Sequence, residues 1–343
     1  MAVIDQDKVI HNLEDGLDLG AYQVKFLEEE KRKLRIVFMG TPSFAVPILE
    51  GLIKYYEVVL VVCQPDKKKD RKGNVIIPDT KKVALEQGIS VFQPVKIRED
   101  YQAILEKNPD MIVTCAYGQM IPNILIDYPK YGCINVHGSL LPKLRGGAPI
   151  HWAIINGEKE TGMTIMKMSS RMDAGDIICQ RSLMIGEDEI LDSLYQRMSI
   201  LGRDLLLEAI PHIVDGTAQY CTQKEEEATF GFNVRKEDEK IHFENKAIEI
   251  KNRVRGLNSI PGAYCVMDGK RMKVYHVEVL EDHSYLEGMI GEIVAVSNDG
   301  MIVQCGDGFV KILEIALEGK KRCLVRDYFN GTRKESFIGK VLE

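Results

Sequence analysis

The segment Cys133-Ile134-Asn135-Val136-His137-Gly138-Ser139-Leu140-Leu141-Pro142 places an amide and an imidazole two residues apart. In an extended strand that spacing sends both side chains to the same side. The strand is expected to end at Gly138, which puts Asn135 and His137 at the C-terminal rim of a sheet. An amide and an imidazole there can donate hydrogen bonds to an oxygen that gains negative charge, as acyl transfer requires. Histidine can also move a proton near neutral pH. Further along, Arg171-Met172-Asp173-Ala174-Gly175-Asp176 forms a polar turn between two apolar runs. A carboxyl group there can orient the imidazole and share its proton, and spacing leaves both Asp173 and Asp176 open. Ser139 raises a nucleophilic serine, but Val-His-Gly-Ser-Leu lacks the GxSxG elbow.

Two further loops bear on binding. Lys143-Leu144-Arg145-Gly146-Gly147-Ala148-Pro149-Ile150 is expected to bring backbone close to a ligand at its glycines. Asp66-Lys67-Lys68-Lys69-Asp70-Arg71-Lys72-Gly73 packs five cations into eight residues after the second strand. It follows a strand at the edge where open α/β sheets bind ligands, and its cations suit phosphates. By contrast, Gly40-Thr41-Pro42-Ser43 has one glycine where a dinucleotide fingerprint needs three, which disfavours a nicotinamide cofactor.

These residues need a scaffold. Arg35 to Gly40, Val58 to Cys63, Val91-Phe92, Met111 to Ala116 and Cys133 to Val136 read as short buried strands, with helices at Phe44 to Lys54 and Thr80 to Gln87. The alternation predicts an α/β doubly wound, mostly parallel Rossmann-like sheet. After residue 210 the pattern weakens. A polar linker leads to a helix at Asn245 to Leu257 and several short strands separated by Gly turns, the pattern of a small OB-like β-barrel. The expected organisation is an N-terminal extension (1–33), a catalytic domain (34–215), a linker (216–240) and a C-terminal barrel domain (241–343).

The 343 residues fit two domains. Hydrophobic residues at 45% and charged residues at 28% exclude a disordered or collagen-like chain. No apolar run is long enough to span a membrane and no signal peptide is readable, so a cytoplasmic protein is expected. The eight cysteines lack CxxC or paired spacing, which supports neither a zinc site nor a disulfide framework, and no metal is expected. A net charge of −6 argues against a broad basic face for nucleic acid. Residues 221–343 carry 19 Lys+Arg against 21 Asp+Glu, so contact with nucleic acid must use local patches such as 67–72 and Lys320-Lys321-Arg322.

Several segments together resemble one family. Val37-Phe38-Met39-Gly40-Thr41-Pro42, Gln64-Pro65-Asp66, Tyr117-Gly118-Gln119, the Asn135 to Pro142 stretch, Arg145-Gly146-Gly147-Ala148-Pro149-Ile150 and Arg255-Gly256-Leu257-Asn258 occur in the order found in methionyl-tRNA formyltransferases. The likeness runs from about residue 34 to the C-terminus. It implies transfer of a formyl group from 10-formyltetrahydrofolate to the α-amine of methionyl initiator tRNA, in translation initiation. It also implies that Asn135, His137 and Asp173 are catalytic, which selects Asp173 over Asp176. Ser139, Leu140, Leu141 and Pro142 would line the folate site, and Lys67, Lys68, Lys69, Arg71 and Lys72 would reach the tRNA. A monomer is expected. The chain departs from the family in the cationic loop and at Phe230-Gly231-Phe232-Asn233, where Tyr-Ala-Pro-Lys is usual. The alternatives are a formyltransferase of a nucleotide sugar or other small amine, and a non-catalytic RNA-binding protein on the same scaffold.

Overall fold

The computed structural model describes residues 34–67, 75–280, 286–330 and 333–343. The extension at 1–33 and the predicted tRNA-contacting Lys68, Lys69, Arg71 and Lys72 lie outside the described residues.

The first half is built from β1 (Arg35–Gly40), α1 (Val46–Tyr55), β2 (Glu57–Val62), α2 (Asp79–Glu86), β3 (Val91–Phe92), α3 (Gln102–Leu105) and β4 (Met111–Cys115). There follow α4 (Asn123–Asp127), β5 (Cys133–His137), α5 (Pro149–Ile155), β6 (Glu160–Lys167), β7 (Ile177–Met184) and α6 (Leu191–Asp215). The seven strands pair in the order β3-β2-β1-β4-β5-β6-β7. Strands β1 to β5 run parallel, while β5–β6 and β6–β7 are antiparallel. Strand order reverses between β1 and β4, and open sheets of this kind bind ligands at such a switch point, outside the carboxyl ends of the strands.

Both faces of the parallel strands are covered, which explains their near-continuous apolar sequence. Ile36, Phe38, Ile134 and Val136 face a core shared with Leu194, Met198, Leu201 and Leu205 of α6. Val37, Met39, Ile112 and Cys133 face the opposite core with Ile104 and Leu125. The 4-3-4 spacing of those α6 leucines and methionine is the apolar stripe of a helix lying on a sheet. The helix ends at Gly216, whose φ of 79° is left-handed and relieves the last turn.

The second half comprises α7 (Ala247–Gly256), β8 (Ala263–Met267), β9 (Lys270–Leu280), β10 (Ile293–Val296), β11 (Met301–Cys305), β12 (Gly308–Leu317), β13 (Cys323–Leu324) and α8 (Val325–Tyr328). Antiparallel strands run β10-β11-β12-β9-β8, with β13 against β12. The predicted barrel therefore meets an antiparallel sheet whose two edges are joined through residues 339–343. Val266 of β8 exchanges backbone hydrogen bonds with Glu343 at 2.7 and 3.0 Å, and Ile293 of β10 does so with Lys340 and Gly339 at 2.8 and 2.9 Å.

The halves touch through α5 and α7. A Cβ on Gly256 would lie 2.8 Å from Ile155 Cγ1, so only glycine permits this helix approach. Beside it the buried Arg255 donates to the carbonyls of Gly186 and Glu189 at 3.2 and 3.1 Å. In the predicted C-terminal patch, Arg322 is ion-paired with Glu314 at 2.6 Å and stacks on Tyr275, which leaves Lys320 and Lys321 as its exposed, more open cations.

Candidate active site

Strand β5 pairs with β4 on one side and β6 on the other, so its carboxyl end sits inside the sheet. Ile134 and Val136 enter the α6-facing core, and alternation sends Asn135 and His137 together to the opposite face, as their spacing predicted. Asn135 lies opposite Thr114, and His137 opposite Thr164.

Thr114 orients the amide. Its hydroxyl donates to Asn135 Oδ1 at 2.9 Å, the shorter of its two contacts to oxygen. This turns Asn135 Nδ2 outward, and that nitrogen has no hydrogen-bond partner among the described residues. A free N–H pair at the rim can donate to an oxygen that gains negative charge.

His137 is buried and differently held. Its Nε2 lies 3.1 Å from the Leu144 carbonyl, which can only accept, so Nε2 carries the proton. Nδ1 then faces Asp173 Oδ1 at 3.8 Å, beyond hydrogen-bond length. Asp173 thus sits beside the imidazole without hydrogen-bonding it. Its Oδ2 instead accepts the Gly146 N–H at 2.8 Å. The alternative acid, Asp176, accepts from Thr222 Oγ1 at 2.9 Å and is spent there.

Both holding points are strained. Leu144 has φ 55° and Asp173 φ 49°, left-handed values that cost an L residue about 1–2 kcal/mol each. Contacts from far along the chain maintain them. Gln223, buried in the predicted linker, donates through Nε2 to the carbonyls of Asp173 and Gly175 at 2.8 and 2.7 Å. Its Oε1 accepts from Nε and Nη2 of the buried Arg145 at 3.0 and 2.8 Å. Arg145 also reaches Glu225, whose carboxyl is held below its ordinary range by Arg145 and then Arg171. Thr229 Oγ1 accepts the Leu144 N–H at 2.9 Å.

The segment 216–240 is therefore more than a connector: part of it forms a wall of the site. The glycines at 146 and 147 do permit a close approach, but to this segment. A Cβ on Gly146 would lie 2.8 Å from the Gly231 carbonyl, and one on Gly147 would lie 2.1 Å from Asn233 Oδ1.

The predicted folate segment forms the turn after β5. Ser139 is buried and donates to the Lys143 carbonyl at 2.6 Å, while its own carbonyl accepts from Thr164. Leu141 is buried as well, and its N–H and carbonyl are taken by Thr164 and Gln180. Half-buried Leu140 and Pro142 are what this turn offers a ligand. Lys67 is separate from this group. Its N–H donates to the Ile76 carbonyl at 2.9 Å, so the chain leaves and re-enters beside one point. Asp66 at that base is held below the usual carboxyl range by Gln93 and Lys81.

No motif or spacing in the sequence singles out Thr114, Leu144, Gln223 or Thr229 for these contacts. A lone hydroxyl in the apolar Met111 to Cys115 run was a usable signal for Thr114. Nothing local distinguishes Gln223 from its polar neighbours.

Residues 34–210 match the family model "Formyl transferase", and 233–333 match "Formyl transferase, C-terminal domain". A methionyl-tRNA formyltransferase of Malacoplasma penetrans is 43% identical over 310 residues, covering 90% of this chain and 96% of the relative. One from Bacillus licheniformis is 46% identical over 301 residues, covering 87% and 95%. The structure of an N-formyltransferase from Helicobacter canadensis, in complex with folinic acid and dTDP-3-aminofucose, superposes with a TM-score of 0.60 at 19% identity, over 81% of this chain and 98% of that one. At that identity the superposition speaks to fold alone. The two family models and the identity over nearly the full length of the bacterial relatives decide the membership: this chain belongs to the methionyl-tRNA formyltransferase family.

Proposed function

We propose that this enzyme transfers the formyl group of 10-formyltetrahydrofolate to the α-amine of methionyl initiator tRNA, the modification that precedes translation initiation. The observation that carries the reading is the convergence of Asn135, His137 and Asp173 at the carboxyl end of β5, in a chain with methionyl-tRNA formyltransferase relatives over most of its length. The unpartnered Asn135 Nδ2 and the half-buried Leu140 and Pro142 fit an acyl donor with a flat ring.

The folate supplies an electrophilic formyl carbon. Asn135 Nδ2 donates to the oxygen that gains charge as the amine adds. His137 has its Nε2–H committed to Leu144, so it acts through Nδ1, which accepts the proton shed by the attacking amine beside the Asp173 carboxylate. The same proton can return from Nδ1 to the nitrogen that leaves. This division replaces an oxyanion site with two equal donors by one donor and one proton acceptor. The buried Gln223 and Gly231 fix the loops around Asp173 and Gly146, so that amine and carbonyl are held in contact, which supplies much of the remaining rate.

In this reading residues 34–215 perform the chemistry, 241–343 support the tRNA, and Lys67, Lys68, Lys69, Arg71 and Lys72 contact its phosphates. The protein acts as a cytoplasmic monomer, in keeping with eight free cysteines. Among the described residues no helix is long and apolar enough to cross a membrane, and no group of three His, Cys, Asp or Glu is placed to hold a metal.

The test is folate-dependent formylation of initiator and elongator methionyl-tRNA side by side. Formylmethionyl-tRNA formed from the initiator is the expected result. Formylation of a sugar amine with no tRNA product, or tRNA binding without turnover, would overturn it.

A further inference from the structure

Phe230 and Phe232 are each about half exposed, at 51% and 52%, although apolar aromatic rings usually bury. Their rings are stacked, with centroids 5.2 Å apart and planes only 9° from parallel. An extended backbone places residues two apart on one side, so both rings leave the linker together while Gly231 faces inward toward Pro149 and Trp152.

The backbone under these rings is fixed on both sides. Thr229 and Gly231 bracket Phe230 with hydrogen bonds to Arg145 at 2.9 and 2.8 Å. The Gly231 carbonyl accepts from Ala148 at 2.9 Å, and Trp152 Nε1 donates to the Phe232 carbonyl at 2.7 Å. The platform is thus tied to the stretch 145–148, whose Gly146 N–H holds Asp173. Exposed Arg235 and Lys236 follow directly along the chain. Flat rings with an open face, cations close by and a rigid link to the catalytic loop are the ingredients of single-strand recognition by stacking. An apolar protein partner would not call for parallel rings or the neighbouring cations.

We propose that Phe230 and Phe232 form a stacking platform for an unpaired nucleobase at the aminoacylated end of the tRNA. The proposal rests on the formyl-transfer reading and names the substrate element that this side of the site receives. The nucleotide that carries the amino acid must lie beside Asn135 and His137 during transfer, so the unpaired bases preceding it pass near the site wall that bears these rings.

The test is a cycle of two proteins and two RNAs. Wild type and Phe230→Leu/Phe232→Leu, which keeps apolar volume and removes the rings, are compared for affinity toward the complete tRNA and toward one lacking its unpaired 3′ nucleotides. Stacking on one base predicts a loss of about 10-fold or more for the variant on the complete tRNA, with a matching rise in KM. On the truncated tRNA the two proteins should bind equally, and Phe230→Tyr/Phe232→Tyr should restore wild-type affinity. Equal losses on both RNAs would assign the rings to the tRNA body or to the fold and overturn the proposal. Unchanged affinity on both RNAs would also overturn it and leave the patch to a protein partner. A wild-type protein that fails to formylate methionyl-tRNA would instead defeat the functional reading, so the two failures are distinguishable.

Discussion

Gln223 Nε2 donates to the Asp173 carbonyl at 2.8 Å across 50 residues of sequence, and so sets where the acid of the site stands. The same side chain accepts from Arg145, which joins the loops on both sides of His137 into one buried network. Gln223→Leu leaves these groups without partners, at a cost of about 1–3 kcal/mol in stability. We expect kcat to fall about tenfold or more, because misplacing a reacting group is costly, while KM for folate changes little. Gln223→Glu, which retains the acceptor toward Arg145 but turns an oxygen toward the Asp173 and Gly175 carbonyls, should recover only part of the stability and none of kcat. Thermal unfolding with steady-state kinetics checks both.

Asp173 has two duties, a left-handed backbone and a carboxylate beside Nδ1. Asparagine tolerates left-handed φ and can still accept the Gly146 N–H, so Asp173→Asn should keep the melting temperature within a few degrees. Its kcat should nevertheless drop by about 10²-fold or more, since proton transfer loses its carboxylate. Asp173→Ala should lose both.

Thr114 is predicted to act only through Asn135. Thr114→Val frees the amide to rotate and should lower kcat about tenfold, whereas Thr114→Ser should stay near wild type. Removing the donor itself, in Asn135→Ala, should cost about 10²–10³ in kcat. His137→Ala should fall at least as far with the fold intact. Near-wild-type turnover in either alanine variant would contradict the roles assigned here.

His151 should govern part of the acid limb of stability. Burial pushes its imidazole down to about 4 from 6.5, and its Nδ1 is buried with no hydrogen-bond partner among the described residues. The unfolded chain therefore binds the proton more readily between those two values. The native state keeps its full advantage above about pH 6.5 and loses it as pH falls toward 4, by up to about 3 kcal/mol. Denaturant melts of His151→Gln should show a flatter pH dependence over that interval than wild type.

Charge removal at Lys67, Lys68, Lys69, Arg71 and Lys72 tests the local-patch view of tRNA binding. Alanine at all five should raise KM for methionyl-tRNA and flatten its dependence on salt, with KM for folate unchanged. The wild-type salt slope should itself be shallow, because the chain carries a net charge of −6. A slope implying many neutralised phosphates would contradict this.

The sequence by itself determined the parts that local physics controls. Period-two alternation through Cys133 to His137 put Asn135 and His137 on one face, and continuous apolar runs marked the buried strands from β1 to β5. The family motifs determined the chemistry. Tertiary structure decided how the site is held. The left-handed Leu144 turns its carbonyl onto His137 Nε2, Asp173 stands 3.8 Å from Nδ1 while Asp176 turns away to Thr222, and a polar linker holds the loops that carry Leu144 and Asp173. Those outcomes depend on hydrogen bonds between residues up to 85 positions apart, such as Leu144 to Thr229. Their partners meet only after both cores have packed, so no spacing or periodicity near either residue encodes the contact.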